Sequence, residues 1–492
     1  MKKIKYLSLL VAFITLIACS NDDEGTDTDT GNEIDTDNEV VNEDFEVDDF
    51  IWQAMNLVYL YKADVSDLND DKIQNQSEYE NFLKSFDSPE SLYDALQSSQ
   101  DRFSFLTPDY VALEKQFSGI SKSNGMEFGL VRKTQGGDDV VGFVRYVLPS
   151  TDAERKGIER GDFFDAIDGE VLTVNSNFQE LFARDSYTVR FVDETNNFTP
   201  IEDINLTAVE YTENPIFISK TIDYKGQKIG YIMYNGFTGT FDEQLNDAFG
   251  VLKTDGVTDL ILDLRYNGGG SVRTAIDLAA MITGQFTGDI FSKEIWNENL
   301  QAQFSSGPNG EENLLNRFVD TIRTGAPINK LELAKVHVLT TDRTASASEL
   351  IINGLDPYIT VVQIGETTTG KFQASATFYD SQNLGRENAN PNHTYAIQPL
   401  IFKSANKDDI TDFVDGLVPE VPFQESLLNL GTLGEVEEPF LNAALEFITT
   451  GAVPTSSKSN LLNETIGESK MHSPIYQKMY DNTKDYSFLL KD

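Results

Sequence analysis

Two residues of this 492-residue chain stand where they could break a peptide bond: Ser346, in the stretch TASASE, and Lys371, which ends GETTTGK. A serine hydroxyl attacks an amide carbonyl only if a base within hydrogen-bond reach takes its proton. Of the three histidines, His337 falls inside an apolar run, His472 lies in a polar tail, and His393 sits in a loop with no matching motif. A lysine can serve instead when burial or a neighbouring positive charge drives its pKa toward neutrality. Taken singly, TASASE also reads as a helix N-cap with Ser348 as an alternative hydroxyl, and Lys371 as a solvated lysine after a glycine. It is the combination that points to chemistry.

The neighbouring elements must place these groups. Val336, Val338 and Leu339 form a short apolar run that TTDRT (340–344) interrupts, and Ala345 to Leu355 then has helical spacing, with Leu350, Ile351 and Leu355 on one face. Ser346 therefore falls where a buried strand turns into a helix. The first amides of that helix have no partner within it, so Ala347 can supply half of an oxyanion hole. Upstream, LILDLRYNGGG (260–270) reads as a buried strand that ends in three glycines before the helical SVRTAIDLAAMIT. Glycine lets a backbone amide approach a reacting carbonyl closely. A second β-branched run, Thr360 to Ile364, leads into the loop that delivers Lys371.

TASASE followed by GE-x-T-x-GK resembles the carboxyl-terminal processing (tail-specific) serine peptidases, and DLRYNGGG resembles their "DLR-x-N-x-GG" motif. The resemblance covers roughly residues 45–450. It implies that Ser346, not Ser348, is the nucleophile, and that Lys371, 25 residues later, is the base. It further implies an oxyanion hole completed by Gly269, with Gly270 as second choice, and a bracing role for Asp263, Arg265 and Asn267. DGLVPE resembles the family's "GI-x-PD" signature, with Leu417 and Glu420 in place of Ile and Asp. One departure concerns the base: many members carry a glutamine four residues after the lysine, where this chain has Ser375. The nearest glutamine is Gln373. An alternating strand would put both on the face of Lys371, so both are candidate third members.

The chain begins with Lys2, Lys3 and Lys5, an uncharged apolar stretch from Tyr6 to Ala18, and LIAC ending at Cys19. Residues 1–19 read as a secretory signal whose LIAC resembles a bacterial lipobox, with Cys19 as the lipidated residue. Cys19 is the only cysteine, so no internal disulfide can form. Residues 20–49 hold 14 Asp and Glu and no Lys or Arg, the composition of a self-repelling tether, assigned to 20–44. Its start, SNDDEG, resembles the acidic export signal of surface lipoproteins of Bacteroidota. These features place the protein on the outer membrane, facing the periplasm or the exterior, with its membrane contact made by the lipid. The formal net charge of −42 argues against nucleic-acid binding.

The fold class expected is multidomain α+β. Residues 45–117 have helical spacing and are read as a packing domain without chemistry. Residues 118–213 resemble a PDZ domain, through STDAERKGIERGDFFDAIDGEVL and through Glu127-Phe128-Gly129-Leu130. In such a domain the loop before the second strand binds a peptide's terminal carboxylate while the peptide adds as a strand, and the resemblance implies that Phe128, Gly129 and Leu130 are that substrate-binding loop. Residues 214–450 form the catalytic region, for which the resemblance implies a crotonase- and ClpP-like α/β core. Residues 451–492 are a polar, aromatic-spotted tail to which the sequence assigns no role.

The reading that results is a lipoprotein serine endopeptidase with a Ser346–Lys371 dyad, acting on proteins or peptides with free carboxyl termini. Three scattered histidines and one cysteine form no ligand cluster, so neither metal nor cofactor is expected. The alternative is a surface lipoprotein that captures peptides or small ligands through a PDZ domain and a degenerate core. A hydrolase pairing Ser346 with His393 is a third reading.

Overall fold

The computed structural model describes residues 45–453 and 464–482. The signal, the tether and Cys19 lie outside the described residues, and no helix among the described residues is long and apolar enough to cross a membrane.

The catalytic region is built on a six-stranded sheet in the order 216–224, 227–234, 259–263, 335–340, 360–365, 421–422. The first pair is an antiparallel hairpin and the rest run parallel. Parallel neighbours need crossovers, and the helices Asp242–Asp255, Val272–Ile282 and Ala347–Leu355 supply them. Because helices cover this sheet, strands such as Asp259–Asp263 are apolar throughout their interior, with Leu260, Ile261 and Leu262 fully buried. A second, five-stranded sheet is ordered 315–317, 290–296, 400–405, 373–375, 479–480. It carries the stretch just after Lys371.

Residues 45–117 form the helices Glu46–Val58, Gln76–Leu83, Pro89–Ala95 and Tyr110–Phe117. They do not make a separate core. Ile51, Met55 and Leu92 belong to the same apolar cluster as Ile232, Leu262, Val338 and Ile351. The strand Phe105–Thr107 pairs antiparallel with Ala396–Gln398 and ties the helical region to the catalytic one.

Residues 118–213 fold into an antiparallel sheet around their own apolar core, which includes Phe128, Leu130, Val144, Phe164 and Val189. The antiparallel strand pair Ile120–Ser123 and Val209–Thr212 lies at the two ends of this stretch. Its edge strand is Met126–Arg132.

Two short strands of the tail join the sheets of the other regions. Thr465–Glu468 adds to the edge strand Met126–Arg132, and Met479–Tyr480 adds to Gln373–Ser375 of the catalytic region. Strands of four and two residues carry almost no periodicity, which is why the stretch reads as featureless in sequence.

Candidate active site

Ser346 is the residue at the turn from strand Lys335–Thr340 into helix Ala347–Leu355. Its backbone has φ +66 and ψ −115, a region that costs a non-glycine residue about 1–3 kcal/mol. The strain is held by hydrogen bonds on both sides. The amide of Ser346 donates to Glu349 Oε2 at 2.7 Å, and that of Ala345 to the carbonyl of Asn267 at 3.1 Å. The Ser346 hydroxyl is fully buried and unpartnered among the described residues. Ser348 differs: its hydroxyl donates to the carbonyl of Asn267 at 3.1 Å. Of the two serines, only Ser346 has a hydroxyl free to react.

Lys371 is also fully buried, and its Nζ has no hydrogen-bond partner among the described residues. The ammonium group lies 4.7 Å from the centre of the Phe103 ring, so the helical region contributes one wall of the site. Burial pushes the Lys371 pKa well below lysine's ordinary value, and the positive charge of Lys478 pushes it the same way, against Asp101 and Glu349. A lysine in this setting is poised to be neutral. Ser346 and Lys371 are not hydrogen-bonded to each other, and both polar atoms are buried without a partner among the described residues.

Glu349 joins the two. Its carboxylate accepts the amides of Ser346 (2.7 Å), Gly370 (2.7 Å) and Lys371 (2.9 Å) and the hydroxyl of Thr368 (2.5 Å). Burial pushes its pKa up, and these four donors oppose the shift. Sequence reasoning passed over Glu349, although Ser346-x-x-Glu349 has the spacing of a capping box.

The loop after Asp259–Asp263 is braced as expected. Arg265, with no exposed surface, binds Asp263 at 2.7 Å and Glu425 and Glu438 at 2.9 Å each. Asn267 donates to the carbonyl of Tyr234 at 2.7 Å. The oxyanion donor, however, needs correction. The amide of Gly269 is already given to Asn267 Oδ1 at 2.8 Å. No acceptor among the described residues takes the amides of Gly270 or Ala347. Spacing places the glycines but not the direction of their N–H bonds, which Asn267 sets.

The candidate third members go elsewhere. Gln373 donates to the hydroxyl of Tyr61 at 2.9 Å, and Ser375 donates to the carbonyl of Met479 at 3.0 Å. Neither is hydrogen-bonded to Lys371. The histidines are also apart: His393 pairs with Asp380 at 3.0 Å, and burial pushes the His337 pKa down to about 4. Neither is hydrogen-bonded to the Ser346 hydroxyl, so the pairing of Ser346 with His393 is not formed. The described residues contain no cluster that could hold a metal ion.

A cavity of about 570 Å³ connects the glycine loop to the sheet of residues 118–213, lined by Phe128, Arg145, Gly269, Gly270, Arg343 and Tyr480 among others. The side chains of Phe128 and Leu130 turn into that sheet's core. Gly129 packs so closely on Phe143 that a β-carbon would stand 2.6 Å from its ring.

Two family models match this chain: "Peptidase family S41" over residues 228–385, which includes the glycine loop, Ser346 and Lys371, and "Peptidase S41 N-terminal domain" over residues 46–105. These two stretches match peptidase family S41. A carboxyl-terminal-processing protease of Picosynechococcus sp. is 25% identical to this chain over 306 residues, covering 61% of the chain and 65% of the relative. Carboxy-terminal processing protease CtpA of Bacillus subtilis is 30% identical over 149 residues, covering 30% of the chain and 27% of the relative. The chain thus spans less than two thirds of the length of these curated relatives. A crystal structure of a protein assigned to the S41 proteases, from Bacteroides fragilis, superposes with a TM-score of 0.61 at 23% identity, covering 82% of this chain and 97% of that one. That likeness bears on the S41 fold: a helical N-terminal region joined to an α/β core.

Proposed function

We propose that the chain is a serine endopeptidase that cleaves polypeptides near their carboxyl-terminal tails, the activity that its curated relatives' names carry. The observation that carries the reading is the pair of buried, unpartnered polar atoms, Ser346 Oγ and Lys371 Nζ, next to two uncommitted amides.

Neutral Lys371 takes the proton of Ser346 as its oxygen attacks the scissile carbonyl. The amides of Gly270 and Ala347 bind the oxyanion that forms. The Lys371 ammonium then returns the proton to the departing amine, leaving an acyl-enzyme. Water, deprotonated by the same lysine, hydrolyses that ester and regenerates Ser346. Residues 118–213 act as a PDZ domain that brings the tail to the site by strand addition. A lipid on Cys19 tethers the enzyme to the outer membrane. The buried, unpartnered Ser346 hydroxyl and Lys371 amine argue against a purely binding role, since burying polar groups without partners is costly and a degenerate core gains nothing from it.

The test is cleavage of an unstructured protein with an apolar carboxyl terminus, followed by mass spectrometry. Cleavage should vanish in both Ser346→Ala and Lys371→Ala. Turnover that persists in either variant overturns the dyad.

A further inference from the structure

Residues 464–482 run from the edge strand Met126–Arg132, along the cavity, to the glycine loop and the strand after Lys371. Thr465, Gly467 and Glu468 pair antiparallel with Val131, Leu130 and Gly129, and the amide of Ser469 donates to the carbonyl of Phe128 at 3.1 Å. Ile466 and Met471 pack against the core of the same sheet. This is strand addition by the chain itself. Further on, a β-carbon on Gly268 would stand 3.2 Å from the nitrogen of Gln477. The amide of Tyr480 donates to the carbonyl of Gly270 at 3.0 Å, while Met479 and Tyr480 pair with Ala374 and Ser375. The segment therefore lies against both the oxyanion loop and the strand that follows Lys371.

Between these two contacts lies a charged one. The carboxylate of Glu468 is held by Arg343 Nε at 2.7 Å and by the Arg145 guanidinium. Arg145 comes from strand Val140–Val147, and Arg343 from the turn three residues before Ser346. All three side chains are nearly buried. Lys470, Glu127 and Glu213 form a separate ionic group beside them, and Arg343 also touches the exposed Asp342.

Removing the segment would leave two guanidiniums in a largely desolvated cleft without their shared anion, which is strongly unfavourable. A ligand that takes the segment's place must restore that anion. This requirement discriminates between ligands, because a site built around a buried charge rejects molecules that cannot pair with it.

We propose that Arg145 and Arg343 are the carboxylate-recognition site of the substrate groove, filled in the resting chain by Glu468 of residues 464–482. A substrate tail enters by displacing this segment with a carboxylate of its own. The proposal deepens the peptidase reading and rests on it. A tethered competitor acts at an effective concentration on the order of millimolar, so even weak pairing holds the groove until a matching tail arrives. The carboxylate can be an Asp or Glu side chain or a chain terminus, and both present the same anion to the two arginines.

The experiment measures cleavage of three otherwise identical unstructured peptides by the purified full-length chain and its Glu468→Gln variant. One peptide has a free terminal acid, one is amidated and lacks any carboxylate, and one is amidated with an internal glutamate. Glu468→Gln should raise kcat/KM at least fivefold on acid-bearing peptides, through KM, and the carboxylate-free peptide should stay at least tenfold poorer. Preference for the free acid or for the internal glutamate identifies the source of the anion. An unchanged kcat/KM in a normally folded Glu468→Gln variant overturns the proposal, as does equal cleavage of all three peptides. Hydrogen exchange on the Ser346→Ala chain covers the case in which Glu468→Gln does not fold. Saturating acid-bearing peptide should accelerate exchange across 465–481, and sustained protection there overturns the displacement. Absence of Ser346-dependent cleavage of every peptide would overturn the peptidase reading alone, since exchange in the inactive variant still decides whether the segment is displaced.

Discussion

A β-carbon on Gly269 would stand 2.6 Å from Cβ of Ser346, and the same added atom would be 2.9 Å from the amide nitrogen of Ala347. The glycine loop is pressed directly against the nucleophile's turn, at φ +104, where side chains other than glycine are strained. The close approach depends on the absence of a side chain at Gly269, whose N–H is given to Asn267 Oδ1.

Gly269→Ala must therefore push the serine turn away from the loop. Misplacing reacting groups by about 1 Å costs on the order of 100-fold in rate. The expected result is a loss of roughly that size in kcat with a native circular dichroism spectrum. A kcat within threefold of wild type would show that the contact is not needed.

Glu349→Gln tests the link between serine and lysine. Glu349 accepts from four donors, and a glutamine must turn its own N–H bonds toward some of them. Each buried donor left unsatisfied costs about 1–3 kcal/mol. The variant should melt several degrees lower and lose about 10- to 100-fold in kcat, while a variant at Ser348 that keeps the hydroxyl, Ser348→Thr, should retain the Glu349 contacts. Calorimetry and steady-state kinetics on the same preparations check both effects.

The parts legible in sequence were those fixed by local chemistry. The strand–turn–helix around Ser346 and the buried strand into the glycine loop follow from periodicity and residue type. That the amide of Gly269 is engaged was not legible, because the side chain of Asn267 decides which N–H is free. Phe103 and Tyr61 reach the site from a region that reads as plain packing helices, across contacts of long sequence separation. The segment 464–482 was the least legible. Strand addition uses backbone groups that any sequence has, so composition does not announce it.

The pH dependence should report Lys371. Its pKa is depressed in the free enzyme, first by burial and then by the charge of Lys478, so kcat/KM should rise with pH through a pKa well below lysine's ordinary value. Burial pushes Lys478 itself down to about 8, so its charge acts on Lys371 chiefly below that pH. Lys478→Met removes a repulsive charge, lets Lys371 hold its proton more tightly, and should move the ascending limb to higher pH. A limb that stays in place or moves to lower pH would show that Lys478 does not act on the base.

The arginine cluster under the glycine loop should dominate acid stability. Arg265 binds Asp263, Glu425 and Glu438 in the interior, whereas the exposed helical pair Lys84–Glu80 is typical of surface ion pairs. Removing one partner of a buried network costs about 3–5 kcal/mol, against at most about 0.5 kcal/mol for an exposed helical pair. Arg265→Met should therefore shift the urea midpoint far more than Lys84→Met, with the m-value unchanged. Lysine at 265 should not rescue it, since a single ammonium cannot reproduce the fork that spans three carboxylates. Burial raises the Glu425 pKa, but Arg160 and Arg265 overcome this and hold it at about 2, below its ordinary value of 4.5. A carboxylate whose pKa is depressed on folding stabilises above its unfolded pKa and loses that contribution as pH falls toward the folded one. The stability of wild type should thus decline between about pH 4.5 and 2, and Arg265→Met, having lost one of the two guanidiniums that hold Glu425 down, should show a shallower decline over the same window.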